Sequence, residues 1–223
     1  VSGPPTPDHR AVELPYRALL RRNPVQQRSV RRVEDIVDAA AVLLSDRDPS
    51  RLTARDLAAT AAVPTATVYQ FFDDLDAVCQ ALAIRFMAAM PAVVEAAVAP
   101  RGPWETVIDD LIDGFAAMVR THPAIRALWL SGVLGEATRT VERTLDRRIA
   151  ERIGRTVVQR ARDAGWSVAD EPALVQWEVL VAIIDALLRR AFTLHPDGDD
   201  ATLAEAARAA RAYAAAVLSG VAR

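Results

Sequence analysis

The sequence contains no lysine and only one cysteine, and just 5% of its 223 residues are aromatic. A lone Cys79 excludes an internal disulfide framework and a cysteine-based zinc site. With lysine missing, all 27 basic residues are arginine. Together with heavy use of Ala and Val, this reflects a GC-rich coding sequence rather than a function. No apolar stretch of about 18 residues is free of charge, and no charged-then-apolar leader opens the chain. The expectation is a cytoplasmic chain with no membrane partner. Familiar catalytic patterns are missing too: there is no glycine-rich phosphate loop, no G-x-S-x-G elbow and no HExxH pair. His9, His122 and His195 lie far apart, the last two each followed by a proline at a helix end. No catalytic, cofactor or metal residue is therefore expected, and the chain reads as a non-enzyme.

The chain has enough apolar material for a core: 52% is hydrophobic in 24.2 kDa, sufficient to bury about 70% of the unfolded surface. The charges are nearly balanced, 27 basic against 29 acidic, which rules out a generally basic nucleic-acid coat. Their distribution is uneven. Between Tyr16 and Val33 lie Arg17, Arg21, Arg22, Arg28, Arg31 and Arg32 without a single acid. A basic arm on an acidic body points to a local contact with a polyanion.

Residues 1–15 hold four prolines and little apolar pattern, and residues 1–27 read as a disordered or basic arm. Val33, Ile36, Val37, Ala40 and Leu44 then follow helical spacing, with Ser29 as the expected cap and Pro49 beyond the end. Thr53 and Asp56 stand at capping-box spacing before Leu57-Ala58. A break at Ala61-Ala62-Val63 precedes a short helix from about Pro64 to Phe72, and Asp73-Asp74 caps a long helix toward Val98. Further helices are expected at Trp104–Thr121, Pro123–Ser131, Glu136–Ala164, Glu171–Leu194 and Thr202–Val221. The prediction is an all-α chain of about nine helices, without strands or repeats.

Two short helices joined by a tight turn behind an arginine arm form a helix-turn-helix pattern. Leu57, Ala58, Ala61, Val63, Val68 and Phe72 have the spacing to pack on Ile36, Ala40 and Leu44. Thr65, Ala66, Thr67, Tyr69 and Gln70 are left on the outer side. Small and polar side chains there suit the major groove, where Gln bonds an adenine edge and Thr or Ala meets a thymine methyl.

On these residues the sequence resembles the TetR family of transcriptional regulators. The resemblance runs through Ile36-Val37-Asp38-Ala39-Ala40, Leu52-Thr53-Ala54-Arg55-Asp56-Leu57-Ala58 and Val63-Pro64-Thr65-Ala66-Thr67-Val68-Tyr69-Gln70-Phe71-Phe72. Arg21 to Ser29 looks like the arm of some members. The resemblance implies a helix-turn-helix domain over 28–75 and a ligand-sensing, dimerising domain over 76–223. It implies a homodimeric repressor on a palindromic operator, released by a small, largely apolar effector. Thr53 would meet a phosphate, Thr65, Ala66, Thr67 and Gln70 would face bases, and Tyr69 the backbone. Arg28 and Arg31 would sit near phosphates or the minor groove. Ala62 stands where the family usually has a left-handed Gly, Pro64 where it has a capping Ser, and Leu75 where it commonly has a phosphate-binding Lys.

Beyond residue 100 the residues speak less directly. Phe86, Met90, Trp104, Phe115, Met118, Trp129 and Trp177 have the spacing to line an apolar pocket. Glu178 and Asp185 share one helix face and could meet a polar or cationic ligand atom, but Asp185 also stands four before Arg189, and the intrahelical pair is the favoured reading. The helix of 171–194 is apolar nearly all round and that of 202–221 has a stripe of small residues. By the resemblance, Leu180, Ile184, Leu187, Leu203, Ala207, Ala210, Ala214 and Val217 form the dimer interface. Two other functions compete. Asp109-Asp110-Leu111-Ile112-Asp113 matches the DDxxD pattern by which all-α enzymes hold magnesium and diphosphate, though Asp109 and Asp113 fall opposite the apolar stripe. A helical adaptor without DNA contact is the other.

Overall fold

The computed structural model describes residues 14–22, 24, 26–99, 101–132, 135–168 and 171–220. Among them are ten α-helices, two short 3-10 turns and no strand. The expected disorder of residues 1–13 lies outside the described residues. Residues 14–22 are no free arm: Leu14 and Tyr16 are buried in the N-terminal core, with the turn Arg17–Leu19 beside them.

Helix α1 (Gln27–Leu44) buries Val33, Ile36, Val37, Ala40 and Leu44 along the expected stripe. It begins before Ser29, so that residue does not cap it. Helices α2 (Ala54–Thr60), α3 (Thr65–Phe71) and α4 (Leu75–Met87) follow in close succession. The Asp74 carboxylate accepts the backbone N–H of Ala77 at 2.7 Å and so starts α4.

The single helix expected toward Val98 is two, α4 and α5 (Met90–Val98), separated at Ala88-Ala89. Pro91 supplies the reason: it has no N–H to donate and its ring would strike the carbonyl one turn back. By length and composition the stretch Leu75–Val98 could cross a membrane. Here it is folded into the protein, with Val78, Ala81, Leu82 and Val94 buried.

The remaining helices are α6 (Trp104–Thr121), α7 (Pro123–Ser131), α8 (Glu136–Asp163), α9 (Leu174–Leu194) and α10 (Asp200–Leu218). Ala206, Ala210 and Ala214 are wholly buried, and their small side chains let α10 lie close to α9. Two apolar clusters result. The first joins α1 to α4 with Ala124 and Leu128 of α7, so this core continues past residue 75. The second fills the space between α5, α6, α8, α9 and α10, and also takes Ile125 of α7. Phe86 packs against both.

Candidate nucleic-acid interface and ligand cavity

The turn between α2 and α3 is set by three residues. Thr53 caps α2, its Oγ1 accepting the Asp56 N–H at 3.1 Å. The carboxylate of Asp56 turns to Arg47, 3.1 Å away, so only half of the capping box forms. Ala62 adopts φ +52°, the only positive φ of a non-glycine residue among those described. This is the left-handed turn expected there, held by Val63 donating its N–H to the Ala58 carbonyl at 3.0 Å. Pro64 precedes α3 without any side-chain cap. Its fixed φ pre-sets the entry to the helix.

Packing then fixes which side of α3 faces outward. Val68, Phe71 and Phe72 are buried with Leu57, Ala58, Ile36, Ala40 and Leu44, while Ala61 and Val63 pack at the edge of this core. Thr65, Ala66, Tyr69 and Gln70 are exposed and Thr67 is half-buried. Tyr69 remains 44% exposed although it is aromatic, so the core does not use it.

The arm is tied to this helix by a contact that sequence spacing does not reveal. The Arg21 backbone N–H donates to the Phe71 carbonyl at 2.9 Å, and its guanidinium donates to the Tyr69 carbonyl at 3.3 Å. The same guanidinium lies 3.0 Å from Asp73. Several acids of the region are thereby engaged: Asp73 by Arg21, Asp56 by Arg47, Asp38 by Arg85 at 2.5 Å, and Asp74 in the cap. Arg22, Arg31, Arg32 and Arg55 are exposed and form no ion pair among the described residues, and Arg28 bonds only the Gln26 side chain. From Arg28 to Leu75 the sequence has six arginines against eight acids, and with the acids named above engaged that formal excess overstates the negative charge facing solvent.

A cavity of about 110 Å³ lies where the two cores meet. Phe86, Met90, Phe115, Met118 and Trp129 line it as expected, together with Leu128 of α7 and Ile184 of α9. Trp104 and Trp177 do not. Trp104 stands 11 residues before Phe115 on α6, about 16 Å along the axis, and meets Trp166 edge-on. Trp177 is packed onto α8 where Gly154 leaves room, since a Cβ there would come within 2.6 Å of its indole. Mid-helix Gly154 is the one signal for that contact in the sequence.

The polar side of the cavity comprises Glu142, Asp146 and Asp185. Desolvation pushes all three carboxyls above the ordinary range, and mutual repulsion adds to it for Glu142 and Asp146; Asp146 rises to about 6. Asp185 forms the intrahelical pair with Arg189 at 3.7 Å. Glu178 does not line the cavity.

The proposed interface residues need correction. Leu180, Ile184, Ala210, Ala214 and Val217 are buried within this one chain, and Leu187, Leu203 and Ala207 are partly so. A helix apolar on every side gives no phase in sequence, and the face expected to point outward is the inner one. The outward stripe of α9 is Val175, 59% exposed, and Val179, 40% exposed, followed by Ala182 and Ala186. The acidic motif on α6 does not assemble as a metal site either. Asp109 pairs with Arg211 of α10, Asp110 and Asp113 point to solvent, and no metal-binding group occurs among the described residues. Cys79 is buried, its thiol pushed up to about 12 by desolvation.

Comparison with known proteins agrees with this architecture. The family described as bacterial regulatory proteins, tetR family, matches residues 36–82, and the Tetracyclin repressor-like C-terminal domain matches residues 102–218. No curated protein matches. Among solved structures, a TetR-family transcriptional regulator from Streptomyces coelicolor is 28% identical, covering 85% of this chain and 99% of its own with a TM-score of 0.62. A TetR family transcriptional regulator from Thermus thermophilus shares the fold at 18% identity, with 82% and 96% coverage and a TM-score of 0.56. A TetR-like transcriptional regulator from Rhodococcus sp. RHA1 does so at 17%, with 85% and 96% coverage and a TM-score of 0.58. With an N-terminal helix-turn-helix and more than half its length in the C-terminal family domain, this chain belongs to the TetR family of transcriptional regulators, not to a family of enzymes.

Proposed function

We propose that the protein is a cytoplasmic, homodimeric repressor that reads a palindromic operator and leaves it when a small molecule enters the cavity. The observation carrying this reading is the outer side of α3. Thr65, Ala66, Tyr69 and Gln70 project from a helix whose buried residues, Val68 and Phe71, anchor it in the core. Gln70 and the Thr methyls would contact bases, and Tyr69, Thr53, Arg28 and Arg31 the backbone. Thr53 uses an Oγ1 lone pair for its cap, so its proton is free for a phosphate.

Dimerisation would use the outward stripe of α9 from Val175 to Ala186 with the adjoining side of α10. The two copies of α3 would then enter successive major grooves, roughly 34–36 Å apart. Release follows from connectivity. Only three residues separate the end of α3 from the start of α4, whose Ala83, Phe86 and Met87 line the cavity. A ligand that favours one setting of α4 over another shifts the distance between the reading helices.

Selection of bound fragments from random DNA by the full-length protein tests the reading. The expected product is a two-fold symmetric motif with half-sites about one helical turn apart, bound less tightly as salt rises. Failure to enrich any symmetric motif would overturn it and favour an adaptor without DNA contact.

A further inference from the structure

The cavity is divided chemically. Helices α4 to α7 give it apolar side chains such as Phe86, Phe115 and Met118, whereas α8 and α9 add, beside Leu145 and Val181, all of its charged groups, Glu142, Asp146 and Asp185. Asp185 is balanced by Arg189, which stands 3.7 Å from it. That guanidinium is further held by the Trp129 carbonyl at 2.5 Å and lies 4.8 Å over the Trp129 ring. Glu142 and Asp146, one turn apart on α8, make no hydrogen bond or ion pair among the described residues. Arg139 and Arg143, on the same helix, pair with Glu136, and their charge reaches Glu142 only at longer range.

The lining holds three carboxylates and no cation, and among the described residues Arg189 is the one guanidinium paired with any of them, so this side of the cavity is negative. A neutral or anionic occupant would remove water from them without replacing the lost solvation, at a cost of kilocalories per buried charge. A cationic one would supply the missing partner. The volume, about 110 Å³, is of the order of the engineered cavity of about 150 Å³ that takes a benzene. Met118 and Met90 can adjust to the outline of a bound ring.

We propose that the cavity binds an organic cation whose apolar body is about one aromatic ring in size. Its charged centre lies between Glu142, Asp146 and Asp185, and its body lies against Phe86, Phe115 and Met118. This assignment rests on reading the cavity as the effector site, and it names the chemical class of the effector.

Three probes of similar size isolate the charge: benzyltrimethylammonium, its uncharged carbon isostere neopentylbenzene, and the anion phenylacetate. Titration calorimetry on the full-length protein should show the cation binding at least tenfold more tightly than the isostere, with no binding of phenylacetate. In Glu142→Gln/Asp146→Asn the cation should fall to within about twofold of the isostere. The single variant Asp146→Asn should already lose at least threefold and serves if the double variant melts early. Equal or tighter binding of the isostere, binding of phenylacetate, an undiminished preference in both variants, or no binding at all would overturn the proposal. Release from the selected operator is measured in parallel. An isostere that binds and releases DNA overturns the cation but keeps the effector site; a cation that binds without releasing DNA does the reverse.

Discussion

Arg21 and Asp73 stand 3.0 Å apart across the end of α3, so the arm and α3 are held as one surface. Removing the whole arm would therefore also remove buried Leu14 and Tyr16 from the core. Charge and packing have to be separated by substitution.

Replacing Arg28, Arg31 and Arg32 together by Gln should leave stability unchanged, because all three are exposed and make no ion pair among the described residues. Operator affinity should fall and the salt slope should flatten by about 0.9 per lost phosphate contact. Fluorescence anisotropy across a salt series gives both. An unchanged slope would mean that these arginines face away from DNA.

Ala62→Gly should stabilise the protein. The residue sits at φ +52°, where an L side chain costs roughly 1–2 kcal/mol, partly offset by the greater unfolded-state freedom of glycine. A net gain of about 0.5–1 kcal/mol in denaturant unfolding is expected.

Gly154→Ala should do the opposite. Its new Cβ would press on the Trp177 indole at 2.6 Å, and overpacking of this kind costs about 1–3 kcal/mol. The melting temperature reads the effect, and Gly165→Ala is no control because its φ is +86°.

Asp146 makes stability depend on pH. Its carboxyl is raised from an ordinary 3.8 to about 6, first by desolvation and then by Glu142 and Asp185. Between those values the native state holds a proton that the unfolded chain has lost, so stability is highest near the lower value and declines as pH rises through 6. Asp146→Asn should remove that decline and gain on the order of 1 kcal/mol at pH 7.5, discounted for the carboxyl's partial exposure. Urea melts at pH 4.5, 6 and 7.5 decide it; a decline that persists in the variant assigns it to Glu142 or Asp185.

Val179→Asp should split the proposed dimer and weaken operator binding without unfolding the chain, since that side chain is 40% exposed. Ala210→Asp, at a wholly buried position, should unfold it. Light scattering with circular dichroism distinguishes the two.

Much of this was legible in the sequence. The bounds of α6 and α7 coincide with those read from periodicity and the flanking prolines, and the outer residues of α3 follow from the burial of Val68 and Phe72. Legibility failed where the code is degenerate. Helix α9 is apolar all round, so its inward and outward faces could not be told apart. Trp104 and Trp177 share helical spacing with the cavity residues but are claimed by Trp166 and Gly154. Glu142 and Asp146 lie on a helix rich in charge, where nothing local marks two carboxylates as facing inward.

Helix α7 gives Ala124 and Leu128 to one core and Ile125 to the other, and it borders the cavity as well. A rotation of this one short rod would loosen one interior while tightening the other. Should a ligand in that cavity release DNA as proposed, genetic screens are expected to return changes along its nine residues that leave DNA binding intact and abolish its release.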